Sequence, residues 1–586
     1  MKKGTTVKGK IEYTEFPNKG IMKVMPEDGE ENKETERVIV KGTIPGQTVN
    51  AVINKGRKGK FEARLLKVLE KSELETQLPF CPHFDLCGGC FYQTLDYEAQ
   101  LELKAEQVKK LIDTAVGLYE NKAENESSYI WEKPVASPKR TEYRNKMEFT
   151  FGNEYKDGPL VIGLHKKGSF YDIVPVHECG LMNSDMRNVL KATEEWARES
   201  GLGFYHKMTK QGYFRHLLVR RSAKSGSLLI DLVTCHTAEK DGVKMTEAEN
   251  REVLDGLVKV LLNLECKSRI AGILHTRNDS VADAIIDQGT EILYGQGFFT
   301  EELLGLNFKI TPFSFFQTNS LGAEKLYEKA REYVSLALSD KSDGPEDSKK
   351  AGVLYDLYSG TGTIGQLMSA AADKVYGIEI VEEAVIAANE NAVLNGLDNC
   401  KFIAGDVFKK LDELEEKPDI IILDPPREGI VAKSLIKILS YGVKNMVYIS
   451  CKPTSLANDL AMIQEAGYMV VKACCVDMFP YTTNVETVCL LSQRKPDTTI
   501  EVDLDISELE VSSAETKATY EEIKSYVLKK YGLKVSNLYI AQVKRECGIV
   551  ERINYNLPKT EGNRVPQCPE DKRKAIKDAF IHFQMI

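Results

Sequence analysis

Apolar and polar residues alternate in short runs at the start of the chain and settle into a strand–helix–strand rhythm toward its end. The early runs are Thr6–Tyr13, Gly20–Val24, Arg37–Val40, Gln47–Lys55 and Phe61–Val68, punctuated by Gly42, Pro45 and Gly46. Alternation at period two, broken by Gly and Pro, predicts short strands. Five of them in residues 1–70 predict a small OB-like β-barrel of the oligonucleotide-binding sort. A cysteine-rich stretch at 78–95 precedes a helical pattern over Glu98–Asp113. Residues 130–300 carry alternating strands such as Arg144–Phe151, Leu217–Arg221 and Ser227–Val233, the pattern of an α+β domain. Residues 301–495 then change to a β-α-β rhythm, which predicts a Rossmann-like parallel sheet. The polar run 339–350 reads as a solvent loop, and the acidic Ser/Thr-rich run at 497–517 as a linker. Residues 518–586 form a small, basic, partly helical C-terminal module. The fold class expected is therefore multidomain α/β, with boundaries at 1–70, 78–300, 301–495, 496–517 and 518–586.

Length, charge and cysteine content narrow this picture. A chain of 586 residues exceeds what one core supports. No run of 18 apolar residues appears, so no membrane span is expected. The first residues lack the apolar core of a secretory signal, which makes the cytoplasm the expected compartment. Thirteen cysteines in such a chain point to reduced thiols, free to act as ligands or nucleophiles, rather than to a disulfide framework. The net charge is −9, yet residues 1–72 and 517–586 are both basic. A basic stretch is ordinarily a solvated face, and two of them flanking an acidic enzyme raise an RNA partner only modestly.

The chemistry begins after the apolar run Val353–Leu357. Tyr358-Ser359-Gly360-Thr361-Gly362-Thr363-Ile364-Gly365 leads into a helix, and glycines there let backbone approach a ligand closely. Val375-Tyr376-Gly377-Ile378-Glu379 ends a second strand on a carboxylate that can accept both ribose hydroxyls. The glycine spacing departs from the dinucleotide fingerprint. With Asp356 ahead of the turn, the stretch resembles S-adenosylmethionine-dependent methyltransferases. Lys401–Asp406, Asp419–Asp424, Asn445–Cys451 and Met469–Asp477 read as strands three to six, and Glu486–Ser492 as a last antiparallel strand. Asp406 stands where such enzymes contact adenine. Ligands bind at the carboxyl ends of parallel strands, where each of these motifs falls.

Strand four ends in Asp424-Pro425-Pro426-Arg427. Amino-methylating enzymes carry an aromatic where Arg427 stands, so exocyclic-amine chemistry is disfavoured. Strand five ends in Ser450-Cys451-Lys452-Pro453, just ahead of a helix whose first amides favour a thiolate. A cysteine taken at random is most often a core residue, and Glu486 alone reads as a strand-end surface carboxylate. Opposite a methyl donor the pair makes chemical sense. Carbon 5 of uracil is a poor nucleophile until a thiolate adds to carbon 6, and a base must then remove the carbon-5 proton.

Together these motifs resemble the RNA uracil-C5 methyltransferase family, close to its bacterial 23S rRNA members. The resemblance covers roughly residues 1–495 and includes Ser314-Phe315-Phe316-Gln317-Thr318-Asn319. It implies Cys451 as nucleophile and Glu486 as base. It implies that Gln317, Tyr358, Gly360, Thr363, Glu379, Asp406 and Asp424 hold S-adenosyl-L-methionine or the pyrimidine edge. Residues 1–70 resemble the TRAM RNA-binding barrel. Family members usually have His at the positions of Tyr481 and Asn484 and Asn at that of Lys452. Flipping of the target uridine out of its stack is expected.

Cys81, Cys87 and Cys90 form a dense thiol cluster. Zinc is the first reading of such a cluster, although the spacing fits common zinc knuckles poorly. The resemblance instead implies a 4Fe-4S cluster, with Cys179 as the fourth ligand, in a structural or RNA-positioning role. The barrel and the cysteines favour 23S rRNA over tRNA as the partner. A non-catalytic RNA-binding protein on the same fold is the reading from another class. The chain is expected to act as a monomer.

Overall fold

The structure, a computed structural model, describes residues 1–24, 36–57, 60–120, 129–240, 242–282, 284–339, 350–493, 520–547 and 568–583. The predicted loop at 339–350 and linker at 497–517 lie almost wholly outside these residues, as do 548–567 of the C-terminal module. The chain divides into two compact units, Met1–Lys495 and Pro496–Ile586.

The first unit carries three main sheets. Residues 6–70 form six strands rather than five, because Thr6–Lys10 and Tyr13–Glu15 are separate. Ile11 interrupts the run by turning fully into the core. The sheet order is Thr6–Lys10, Thr48–Arg57, Lys60–Glu70, Glu36–Lys41, Lys19–Val24, Tyr13–Glu15. Alternate residues Val38, Val40, Val49, Ala51 and Ile53 face one another in its core. A period of two puts just these positions on one side of a pleated sheet.

The helix Tyr97–Glu120 follows and buries Val108 and Ile112 against the third sheet's core. The second sheet has seven strands spanning residues 146–295, mostly antiparallel. Its central strands, Phe214–Arg221 and Ser227–Thr234, are buried almost throughout. Two helices, Ser184–Ser200 and Glu247–Leu262, cover it. Asn183 caps the first through its side chain, and Thr246 with Glu249 forms a capping box on the second.

The third sheet positions the site. Its strands are β1 (Ala351–Leu357), β2 (Ala372–Glu379), β3 (Cys400–Ala404), β4 (Ile420–Leu423), β5 (Asn445–Ser450), β6 (Tyr468–Val476) and β7 (Glu486–Gln493). The order is β3-β2-β1-β4-β5-β7-β6. Strands β1 to β5 run parallel and β7 antiparallel between β5 and β6. β4 and β5 are buried at every residue, as strands covered on both faces must be. Ile130–Trp131 adds an edge strand parallel to β6, although it lies in the stretch read as central domain. The helix Ser320–Ser339 packs on β5 and β7.

Lys104, on the long helix, and Asp477, just past β6, form an ion pair 2.8 Å apart with both side chains buried. Removing one member would strand the other charge, at a cost of about 3–5 kcal/mol.

Among its described residues the second unit holds three helices, Tyr520–Tyr531, Asn537–Glu546 and Glu570–His582. Ile523, Val527, Ile540, Val543, Ile576 and Phe580 make its own small core.

Candidate active site

The turn after β1 is shaped by its glycines. Gly362 has φ +71°, and a Cβ there would lie 2.7 Å from the Phe402 ring and 2.8 Å from Ala388, so no other residue fits. Tyr358, at φ +66°, enters the turn in the left-handed region that non-glycine residues rarely adopt. Asp356, at the end of β1, accepts the Gly365 amide at 2.8 Å and fixes the turn to its strand. Its other oxygen is buried without a partner. Glu379, ending β2, accepts the amides of Gly360 at 3.0 Å and Val381 at 3.0 Å. Those bonds hold its carboxylate at the mouth of the turn. Thr363 opens the short helix behind it, and Asp406 follows β3 as the residue ahead of another. Tyr358 is half-buried, and its hydroxyl is pushed up to about 12 by burial and by the nearby Asp406 carboxylate.

The 311–319 segment is braced over this turn. Buried Arg220 donates to the carbonyls of Thr311 at 2.7 Å, Pro312 at 3.1 Å and Ser314 at 2.7 Å. Asn145 donates to the Gln317 carbonyl at 2.8 Å. Phe315 stays exposed and approaches the place a Gly360 Cβ would occupy to 4.0 Å.

Three further groups meet at neighbouring strand ends. Asp424 follows β4, and Cys451 follows β5. Ser450 pairs with Thr487, so the antiparallel register carries Cys451 on to Glu486. Burial chiefly pushes the Cys451 thiol up to about 11, and the Glu486 and Asp424 carboxylates push the same way. Arg427 pulls it down. The pull toward thiolate expected from the following helix is outweighed here by burial and two acids. Glu486 is 3 % exposed, and burial raises its carboxyl to about 7 against the opposing Arg427. Asp424 is raised well above the ordinary carboxylate range by burial, then by Glu486 and Asp356. The strand ends thus hold two carboxyls, one thiol and one guanidinium.

Two participants escape sequence reasoning. Tyr327, on the helix Ser320–Ser339, is buried; its hydroxyl is raised by burial and by Asp424, Glu486 and Asp356, and it hydrogen-bonds the Gln317 side chain. No local pattern marks it, because it reads as one apolar position of an amphipathic helix. Arg427 was visible only as the residue that replaces an aromatic; its charge beside Cys451 and Glu486 needed the fold.

The four cysteines meet elsewhere in the unit. Cys81, Cys87, Cys90 and Cys179 line one cavity of about 400 Å³ with Phe84, Met147, Leu164, Val176 and Leu181. Burial raises Cys90 to about 12, and Cys179, Cys81 and Cys87 add to the rise. Cys87 and Cys179 are raised chiefly by burial as well. Among the described residues, no three His, Cys, Asp or Glu side chains converge closely enough to hold a single metal ion.

A parallel sheet with a glycine turn after β1, a carboxylate ending β2 and acceptor groups after β4 and β5 defines an S-adenosylmethionine-dependent methyltransferase. The model of the tRNA (uracil-5-)-methyltransferase family matches residues 314–494. An uncharacterized RNA methyltransferase of Caldanaerobacter subterraneus is 43% identical over 493 residues, which is 84% of this chain and all of the relative. One from Clostridium acetobutylicum is 42% identical over 495 residues, covering 84% of this chain and 99% of the relative. The chain belongs to the RNA uracil-5-methyltransferase family and is an S-adenosylmethionine-dependent enzyme. The crystal structure of Pyrococcus abyssi tRNA (uracil-54, C5)-methyltransferase with S-adenosyl-L-homocysteine shares the fold, with a TM-score of 0.58 and 22% identity. It covers 83% of this chain and 100% of that one. No helix among the described residues is long and apolar enough to cross a membrane.

Proposed function

We propose that the enzyme methylates carbon 5 of uridine in 23S rRNA through a covalent adduct on Cys451. The observation that carries this reading is the meeting of Cys451, Glu486 and Asp424 at adjacent strand ends beside the glycine turn. Glu379 would accept the ribose hydroxyls of S-adenosylmethionine at that turn and Asp406 would meet its adenine, the bound donor supplying the methyl group. Gly360 and Thr363 shape the cradle, and Tyr358 and Gln317 flank it.

The thiol of Cys451, partly exposed, gives its proton to solvent, a loss that Arg427 favours. Its sulfur adds to carbon 6 of uracil, and the ring electrons move to carbon 5 and the carbonyl at carbon 4. Asp424, whose carboxyl burial pushes well above the ordinary carboxylate range, faces the pyrimidine edge as a hydrogen-bonding partner. Carbon 5 takes the methyl group, and S-adenosylhomocysteine leaves. Glu486 then removes the carbon-5 proton, the 5,6 double bond re-forms and the sulfur departs. A carboxyl at about 7 is poised for this step, because a base works best when its pKa lies near the working pH.

The cysteine cavity fits a 4Fe-4S cluster better than a single zinc ion. Four thiols ring a chamber of about 400 Å³ instead of converging on one point. Cys81, Cys87, Cys90 and Cys179 would hold the cluster, which would offset the mutual repulsion of their thiolates. With all four positions held by protein, its role is structural. Residues 6–70 suit a TRAM-like RNA-binding barrel, and the basic C-terminal unit an accessory module for RNA.

The Pyrococcus abyssi relative acts on tRNA, and its whole length is covered, so the architecture alone also accommodates a tRNA substrate. Labelled S-adenosylmethionine with 23S rRNA and tRNA transcripts separates the two. Label in 23S uridine supports the proposal, and label confined to tRNA overturns its rRNA part.

A further inference from the structure

The loop between β6 and β7, residues 477–485, delivers Glu486 to the site, and its first five residues, 477–481, are each fastened to other parts of the chain. Four successive carbonyls each accept a hydrogen bond from a different part of the chain. Asn319 donates to Met478 at 2.8 Å, Lys104 to Phe479 at 3.0 Å and the Tyr143 hydroxyl to Pro480 at 3.0 Å. The Tyr481 carbonyl accepts two amides, Phe91 at 2.7 Å and Tyr92 at 3.0 Å. These two follow Cys90 directly. The Tyr481 amide donates to Gln100 at 3.1 Å, and its ring meets Phe80, next to Cys81, at 5.0 Å. Tyr481 stands at φ +65°, a left-handed conformation that a Tyr holds only when its surroundings impose it. At the head of the loop, Asp477 is held by Lys104 at 2.8 Å and the Tyr97 hydroxyl at 2.9 Å.

We propose that Tyr481 and Gln100 are positioning residues for Glu486: Tyr481 fastens its loop to the segment that carries Cys81, Cys87 and Cys90, and Gln100 holds the Tyr481 amide from the helix Tyr97–Glu120. Four residues separate Tyr481 from Glu486, and Val485 among them is fully buried, so the chain has little slack to absorb a shift. The cysteine segment then acts as a clamp on the proton-abstraction step rather than on donor binding. The inference rests on the reading of Glu486 as the base.

RNA containing 5-fluorouridine isolates that step. The adduct forms on Cys451 and is methylated, but fluorine replaces the proton the base would remove, so the complex stays covalent. Its trapping rate therefore reports every step before Glu486 acts. In Gln100→Leu and Tyr481→Ala enzymes, turnover on ordinary RNA is expected to fall at least tenfold, since a positioned base contributes that much or more. The trapping rate should stay within about twofold of wild type, since positioned base catalysis is the component removed. Hydrogen exchange at Met478–Glu486 should rise in both variants and in Cys90→Ser, with exchange in β4 and β5 unchanged. An equal fall in turnover and trapping, or neither changing, overturns the proposal. Glu486→Gln is the control: if it leaves ordinary turnover intact, the base reading itself falls.

Discussion

Two sets of thiols in one chain have opposite surroundings. Cys451 stands at a strand end beside Arg427, Asp424 and Glu486. Cys81, Cys87, Cys90 and Cys179 line one chamber whose walls mix apolar side chains with Arg144, Lys146 and Glu148. Burial raises the thiols at both places, to about 11 at Cys451 and about 12 at Cys90. The difference lies in the remaining neighbours. Cys451 has a cation to favour its thiolate and two acids to manage protons, which suits a nucleophile that must attack and leave. The other chamber gathers four thiols on one cavity, with Arg144 and Lys146 also on its lining, which suits shared ligation of a cationic group. A third set, Cys474, Cys475 and Cys489, lies fully buried in the sheet as packing. Reactivity here follows from what surrounds the sulfur.

The largest expected effect breaks the first set. Cys451→Ala should abolish methylation and 5-tritium release from uridine-labelled RNA, because no other thiol reaches the ring. Release equal to wild type would remove the covalent route. Glu486→Gln should slow turnover by roughly 10²–10⁴-fold and accumulate a methylated protein–RNA adduct on denaturing gels. Its effect separates base from nucleophile within one site.

The second set responds differently. Cys179→Ser should lose bound iron and lower the melting temperature while leaving Cys451 able to trap 5-fluorouridine RNA. Retained iron with unchanged melting would sever these cysteines from the cluster. The pH profile sharpens the comparison further. Glu486 has a carboxyl raised to about 7, so it is protonated and unable to accept a proton below that pH. Turnover should therefore fall as pH drops from 8 to 6, with adduct accumulating at the acid end. A flat profile, with no adduct at pH 6, would show another group to be the base. The smallest effect belongs to the packing set. Cys489→Ala should cost about 1–2 kcal/mol of stability by denaturant unfolding and leave turnover intact.

Much of this was legible in residue order. The strand-four and strand-five motifs were readable because both strands are continuous apolar runs that end abruptly in polar residues. The glycine turn was readable because Gly362 admits no side chain. The extra strand in residues 6–15 was not, since Ile11 continues the apolar pattern while turning inward. The helix Tyr97–Glu120 runs further at both ends than the expected Glu98–Asp113. Its additional turns are held by packing against the catalytic sheet, which local periodicity does not report.

The sequence by itself determined the chemistry available: a thiol and a glycine turn, each at the carboxyl end of a strand whose burial pattern requires a parallel sheet, and a carboxylate that opens a last, antiparallel strand. Only the tertiary structure decided which groups meet. The antiparallel insertion of β7 beside β5 brings Glu486 to Cys451, and the loop ahead of it reaches back to amides at Phe91 and Tyr92. Such contacts join residues hundreds of positions apart. Strand order and loop closure set them, and neither leaves a period in the chain.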